Sequence, residues 1–247
     1  MEKFSGKVAL VTGGNSGIGY ATAKELISQG AQVIITGRRK EAITQAAHDL
    51  SAIPMVADQA SLKDTDALVE AVTKQFGKID ILFINAGITG TGTLIENANE
   101  ENFDNVMNIN FKGAYFMLSK FIPLLKEGAS VVLLSSIVAS THKPNSSIYQ
   151  ASKAALNSIG RTAANELAPR KIRVNMVSPG PTKTEVLSKS GMDETSVQNI
   201  FNHLQQIIPL QKIGTAEDVA SLVIYLCDDA ASFITGSEFV IDGGLLL

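Results

Sequence analysis

The sequence lacks most of what would tie a chain of 247 residues to a metal, a disulfide framework, a membrane or a nucleic acid. It has one cysteine, Cys227, so no internal disulfide can form. That residue lies in an apolar helical stretch, where a thiol is expected to be buried and inert. The three histidines, His48, His142 and His203, stand far apart without metal-ligand spacing, and no metal site is expected. Neither sign of charge dominates: the formal net charge is −3, and basic and acidic residues are interspersed. A nucleic acid or an anionic membrane would want a basic stripe, so neither is expected as a partner. No run approaches the roughly 20 apolar residues that span a bilayer. The first apolar stretch, Val8 to Val11 plus Thr12, is soon cut by glycines and does not read as a signal peptide. The expectation is a soluble, cytoplasmic protein. No linker, repeat or low-complexity tract divides the chain, so residues 1–247 are expected to form a single domain.

What the sequence has is alternation. Short runs rich in Val and Ile recur at Val8–Val11, Gln32–Thr36, Ile53–Ala57, Ile79–Asn85, Ser130–Ser135, Arg173–Val177 and Glu238–Ile241. Longer amphipathic stretches separate them, the first from Gly17 to Gln29 and the second ending near Leu50. Continuously apolar strands are buried on both faces, which implies parallel pairing. The expected fold class is α/β, a doubly wound sheet with helices on both faces. The pattern weakens over residues 187–210, where Ser188, Ser190 and Gly191 precede an amphipathic stretch with Ile200, Phe201, Leu204, Ile207 and Ile208. This excursion is expected to be a substrate lid, the alternative being a satellite of the core.

The first strand runs into Thr12-Gly13-Gly14-Asn15-Ser16-Gly17-Ile18-Gly19 and then a helix. Glycines let the chain turn tightly and let a pyrophosphate approach the unpaired amides of the helix start. The spacing is G-x-x-x-G-x-G rather than the commoner G-x-G-x-x-G, and a plain strand-to-helix turn is the competing reading. The second strand ends Thr36-Gly37-Arg38-Arg39, with no carboxylate to bind a ribose 2′-hydroxyl. Arg38 can instead hold a 2′-phosphate, which favours NADP(H); if Arg38 and Arg39 are merely solvated, NAD(H) remains possible. Asp58 and the adjoining Gln59, just after the third strand, join the cofactor-binding set, Asp58 toward the adenine amino group.

Ser135 and Ser136 close the apolar run Val131–Leu134, and Tyr149 and Lys153 follow at helical i, i+4 spacing. Tyr-x-x-x-Lys alone is weak, since Tyr20 and Lys24 repeat it on the first helix. Tyr149 is preferred because it follows a strand ending in serine and opens a helix on the carboxyl side of the sheet.

Taken in order, these motifs resemble the short-chain dehydrogenase/reductase family over nearly the whole chain. The matching pieces are Thr12 to Gly19, Asn85-Ala86-Gly87, Asn110 within Asn108-Ile109-Asn110-Phe111-Lys112-Gly113, the Ser136/Tyr149/Lys153 set, and Pro179-Gly180 with Thr184. The resemblance implies a single Rossmann-type domain with a seven-stranded parallel sheet, assembled as a homotetramer or homodimer. It implies catalytic Asn110, Ser136, Tyr149 and Lys153, with Ser136 preferred over Ser135 by the family's spacing to the tyrosine. The implied cofactor-binding residues are Gly13, Asn15, Ser16, Gly17, Ile18, Gly19, Gly37, Arg38, Arg39, Asp58, Gln59, Asn85, Ala86, Gly87, Tyr149, Lys153, Pro179, Gly180, Thr182 and Thr184. Ser136, His142 and Tyr149 are expected to face the substrate.

These residue types suit hydride transfer between a dinucleotide and a carbonyl or alcohol carbon. The substrate oxygen must gain or lose a proton, and Tyr149 can exchange it. A phenol of pKa about 10 is a poor base at neutral pH, and a nearby cation, Lys153, is expected to draw it down. Ser136 would donate to the developing oxyanion. Asn110 is expected to fix a proton-relaying water, the alternative being a polar group at a helix kink. The preferred reading is a ketone or alcohol oxidoreductase for small or medium apolar substrates. A 3-oxoacyl-carrier-protein reductase is the alternative, but it would need a basic docking surface, and Lys112, Lys143, Arg161, Arg170 and Lys171 are scattered. A cofactor-sensing module without catalysis should lack the tyrosine or the lysine. The closing Leu245-Leu246-Leu247 and the small residues Ala151, Ala154 and Ala155 suggest surfaces buried between subunits.

Overall fold

Each apolar run becomes a strand because Val, Ile and Leu fill both faces of a covered sheet. In the computed structural model residues 2–183 and 194–247 are described. The strands are β1 (Val8–Thr12), β2 (Gln32–Gly37), β3 (Ile53–Val56), β4 (Ile79–Ile84), β5 (Leu125–Leu134), β6 (Arg173–Pro179), β7 (Thr182–Lys183), β8 (Gly214–Thr215) and β9 (Glu238–Ile241). Seven of them form one sheet in the order β3-β2-β1-β4-β5-β6-β9, with every neighbouring pair parallel. The helices are α1 (Gly17–Ser28), α2 (Lys40–Leu50), α3 (Leu62–Phe76), α4 (Glu100–Met107), α5 (Ala114–Phe121), α6 (Ser147–Leu167), α7 (Glu194–Ile207) and α8 (Ala216–Cys227). No helix among the described residues is long and apolar enough to cross a membrane.

Side chains of a strand alternate between faces, and β1 shows the consequence. Leu10 enters one core with Leu68 and Val72 of α3, Met117 and Phe121 of α5, and Leu156 of α6. Ala9 and Val11 enter the other, with Leu26 of α1, Ile43 of α2, and Val219 and Val223 of α8. Both faces are therefore covered, as the apolar runs require. Strand order reverses between β1 and β4, and a ligand crevice opens beyond the carboxyl ends of strands at such a reversal.

Two features depart from the sequence expectation. β5 starts at Leu125 rather than Ser130, with a register shift that passes from the pair Ile79–Leu125 to Ile81–Ser130. Lys126, Glu127 and Gly128 carry no apolar pattern, so that irregular entry left no trace in the composition. A two-stranded parallel ladder, β7 with β8, was not expected, its strands being too short to show a period. The excursion after β6 contains α7, with Phe201 and Ile208 buried and Ile207 and Leu210 exposed. The beginning of the expected lid and Thr184 lie outside the described residues.

Candidate active site

The glycine turn is built against the exit of β4. The Thr12 hydroxyl accepts the backbone N–H of Asn85 and of Ala86, both at 3.0 Å. The Asn85 amide donates back to the carbonyls of Thr12 (2.8 Å) and Gly13 (3.1 Å). Gly13 and Gly17 take left-handed backbone conformations, φ +65° and +54°, which a side chain would strain. At Gly19 a Cβ would stand 2.3 Å from the Gly13 carbonyl oxygen, so a methyl there would push α1 off the turn. The first turn of α1, opened by Ser16 at the capping position, presents main-chain N–H groups and the positive end of the helix dipole at the carboxyl edge. Such a terminus suits a phosphate.

At the end of β2, Arg38 and Arg39 are exposed, the strand itself ends without a carboxylate, and the Asn15 side chain reaches Gly37, where a Cβ would meet Asn15 Oδ1 at 3.2 Å. Asp58 is half-buried, one of its carboxylate oxygens accepting from Ala60 N–H at 3.0 Å. Gln59 departs from its neighbours: its side chain is buried and donates to Ala86 and Ile109 carbonyls, inside the protein rather than toward the crevice. These residues fit a dinucleotide lying across the sheet reversal. They supply a helix terminus for the pyrophosphate and a guanidinium for the adenosine end.

The chemical end gathers on α6. Tyr149 and Lys153 lie one turn apart, and the lysine Nζ stands 5.9 Å from the centre of the phenol ring. Lys153 is buried and donates to the Leu134 carbonyl at 2.7 Å. Burial pushes its ammonium down to about 8. Burial also raises the Tyr149 phenol above its ordinary value, and a hydrogen bond with the Ser136 side chain pulls the other way. The expected downward pull of Lys153 on the tyrosine is thus absent from this chain on its own. The ammonium is turned to a main-chain carbonyl, and desolvation dominates both groups. The Ser136 hydroxyl opens a short helical turn, accepting from Val138 N–H at 3.4 Å. Ser135 points elsewhere, donating to the Lys153 carbonyl at 3.4 Å, so Ser136 is the serine that meets the tyrosine.

Asn110 sits in a single π-helical segment, Asn108–Gly113, between α4 and α5. Its carboxamide is wholly engaged: Oδ1 accepts from Ile88 N–H (2.8 Å), and Nδ2 donates to the Ile88 carbonyl (2.8 Å) and to Ser152 Oγ (3.1 Å). Ser152 donates in turn to the Tyr149 carbonyl at 2.8 Å. The polar group at a helix irregularity, weighed as the alternative for Asn110, is what the geometry displays. Gly87 closes the floor, where a Cβ would lie 3.2 Å from Asn110 Oδ1 and 3.4 Å from Lys153 Nζ. At the far side Gly180 donates to the Ile241 carbonyl (2.9 Å), and the Thr182 hydroxyl donates to the Gly180 carbonyl (3.0 Å). Pro179 ends β6 directly before them.

His142 is exposed and belongs to an outer cleft of about 490 Å³, facing Leu94 and Ile95 across it. The second Tyr-x-x-x-Lys copy is separated by burial rather than by helix position, since α1 also opens at the carboxyl edge. There Lys24 points to solvent while Tyr20 packs on the core. Cys227 is buried and its thiol is pushed up to about 12 by that burial, as its apolar surroundings implied. Sequence reasoning assigned no separate role to Thr12 or Ser152, whose only signal is a small hydroxyl on an otherwise apolar, buried face.

A family model described as enoyl-(acyl carrier protein) reductase matches residues 13–246. Human dehydrogenase/reductase SDR family member 4 is 35% identical over 98% of the chain and 88% of its own length. The 3-oxoacyl-[acyl-carrier-protein] reductase of Thermotoga maritima is 35% identical over 99% of the chain and 100% of its own. A short chain dehydrogenase from Burkholderia cenocepacia, solved in complex with NADP, superposes with a TM-score of 0.90 at 32% identity, covering 99% of this chain and 100% of that one.

Proposed function

The chain belongs to the short-chain dehydrogenase/reductase family, and from that premise we propose that it is an NAD(P)-dependent oxidoreductase interconverting a ketone and a secondary alcohol. The observation that carries this reading is the meeting of Ser136 with the Tyr149 phenol one helical turn from a buried lysine, beside Gly87 and beyond the glycine turn. The dinucleotide, when bound, supplies or accepts the hydride at the substrate carbon. Tyr149 gives its proton to the carbonyl oxygen as charge grows there, or takes it from the alcohol in the reverse direction. Ser136 donates to the same oxygen. Lys153 holds the nicotinamide ribose and passes a proton back to the phenolate. Asn110, its carboxamide committed to Ile88 and Ser152, fixes the floor of the site beside Lys153.

Arg38, exposed at the end of β2 with no acid beside it, supports NADP(H) as the preferred cofactor. Three of the five candidate docking cations of the carrier-protein alternative are already engaged within the chain. Arg161 pairs with Glu238, Lys171 pairs with Glu127, and Arg170 donates to the Ile122 and Leu125 carbonyls. A small or medium apolar ketone is therefore the favoured substrate. The deciding experiment follows absorbance of the reduced nicotinamide against a panel of ketones and a 3-oxoacyl thioester, with each cofactor. Turnover of ketones with NADPH is expected. Failure to oxidise either cofactor across the panel would sink the proposal, and a rate confined to the thioester would favour the carrier-protein reading.

A further inference from the structure

Gln59 is not exposed to the crevice, yet its side chain reaches both segments that form the floor beneath Lys153. Its Nε2 donates to the Ala86 carbonyl and to the Ile109 carbonyl, each at 2.9 Å, while Oε1 is buried without a partner. With two carbonyls in front of it, only the NH2 end of the amide can face them, since a carbonyl oxygen accepts and cannot donate. Asn110 makes a second tie between the same two segments through Ile88. The two amides therefore staple residues 86–88 to residues 109–110 on either side of Gly87, whose Cα faces Lys153 Nζ. The main chain of Gln59 is engaged as well, because a Cβ at Gly113 would come within 2.2 Å of its carbonyl oxygen, so the π-helical segment rests on it.

We propose that Gln59 is a positioning residue, which holds Gly87 and the Asn110 segment against Lys153 and thereby keeps that lysine dry and aimed. The proposal rests on the oxidoreductase reading for its meaning, though not for its measurement. A side chain at this position needs two donors on one atom and the reach of three methylene-length bonds. Leucine and methionine have the reach without the donors. Glutamate has the same shape but, once ionised, turns an anion toward two carbonyls. Around Lys153 Nζ stand the Leu134 carbonyl, Gly87 and the Tyr149 ring, and among the described residues no charged side chain contributes to its titration. Loss of the staple therefore acts on Lys153 by admitting water.

The test is a pH titration of the full chain labelled with 13Cε-lysine, the Lys153 signal being assigned by its absence in Lys153→Met. In the unaltered chain the midpoint is expected near 8. In Gln59→Met it should climb by at least about half a unit toward the ordinary lysine value. The kcat should fall about tenfold with a smaller change in cofactor KM, and the pH profile of kcat should move with the lysine. A Gln59→Met protein with a lowered melting temperature and an unmoved Lys153 midpoint would show a merely structural role and overturn the proposal. Should Gln59→Met not fold, the uncharged Gln59→Asn, which keeps the donors and loses the reach, carries the same test, and an unmoved midpoint there has the same force. If the Lys153 midpoint shifts while the unaltered chain turns over no ketone, the positioning role stands and the redox reading fails.

Discussion

A lysine buried on the floor of a crevice costs stability, and the cost depends on pH. Lys153 titrates near 8 in the fold, against an ordinary 10.5. Between those values the unfolded chain binds more protons than the folded one, so this group's contribution to stability rises as pH climbs from about 8 to about 10.5. Below 8 the full penalty applies, roughly 3 kcal/mol from the size of the shift. Lys153→Met should therefore stabilise the protein at pH 7 by about 1–3 kcal/mol, after loss of the Leu134 hydrogen bond is counted, while abolishing turnover. Urea unfolding across pH 7 to 10.5 checks this, and a destabilised variant with an unchanged pH dependence would refute it. Tyr149→Phe removes only the hydroxyl that meets Ser136. Turnover should fall by roughly a hundredfold or more with cofactor affinity intact, measured by steady-state kinetics beside cofactor titration. Near-normal turnover at neutral pH would remove Tyr149 from the chemistry.

Elements meet most closely where glycine allows it, and the consequences differ between backbone and side-chain neighbours. On α1, a Cβ at Gly19 would strike the Gly13 carbonyl at 2.3 Å and the Asn85 amide at 2.5 Å, groups held by the turn itself. On α6, a Cβ at Gly160 would meet Met176 Sδ at 2.4 Å and Leu133 Cδ1 at 3.0 Å, atoms of side chains rather than of a held main chain. Either substitution gains up to about 1 kcal/mol of helix propensity. Gly19→Ala should still lose roughly 2 kcal/mol or more with weakened cofactor binding, and Gly160→Ala should stay within about 1 kcal/mol of the starting protein. Thermal unfolding of the two variants side by side decides it; equal losses would mean the turn can yield. The strands and most of the helices were legible because their apolar patterns extend over many residues. The irregular start of β5, the β7–β8 ladder and the π-helical segment were not. Each arises from contacts made across the fold, as where Gly113 packs on the Gln59 carbonyl, and none has a period of its own.

At the scale of the whole molecule, the described surface carries apolar residues with no cover from the chain itself. Leu247 and Phe233 are fully exposed, and Tyr225, Val240 and Leu246 are at least two-fifths exposed. Their burial between subunits was expected from the closing leucines, and association remains the reading they support. Light scattering at micromolar concentration should give a dimer or tetramer, and replacing Leu246 and Leu247 with serine should shift the mass toward the monomer. A monomeric starting protein would end this expectation.

The sequence alone determined the seven strands, their parallel sense and the glycine turn, and it singled out Tyr149 and Lys153 as candidates. Those follow from local pattern and residue chemistry, which need no partner far along the chain. The tertiary structure alone decided what those groups feel. It turned Lys153 toward the Leu134 carbonyl and set burial above charge in tuning Tyr149. It also took Gln59 from the crevice into the protein and tied it to Ala86 and Ile109, 27 and 50 residues away. Desolvation and long-range hydrogen bonds depend on which segments meet in space, and spacing along the chain carries no record of that meeting.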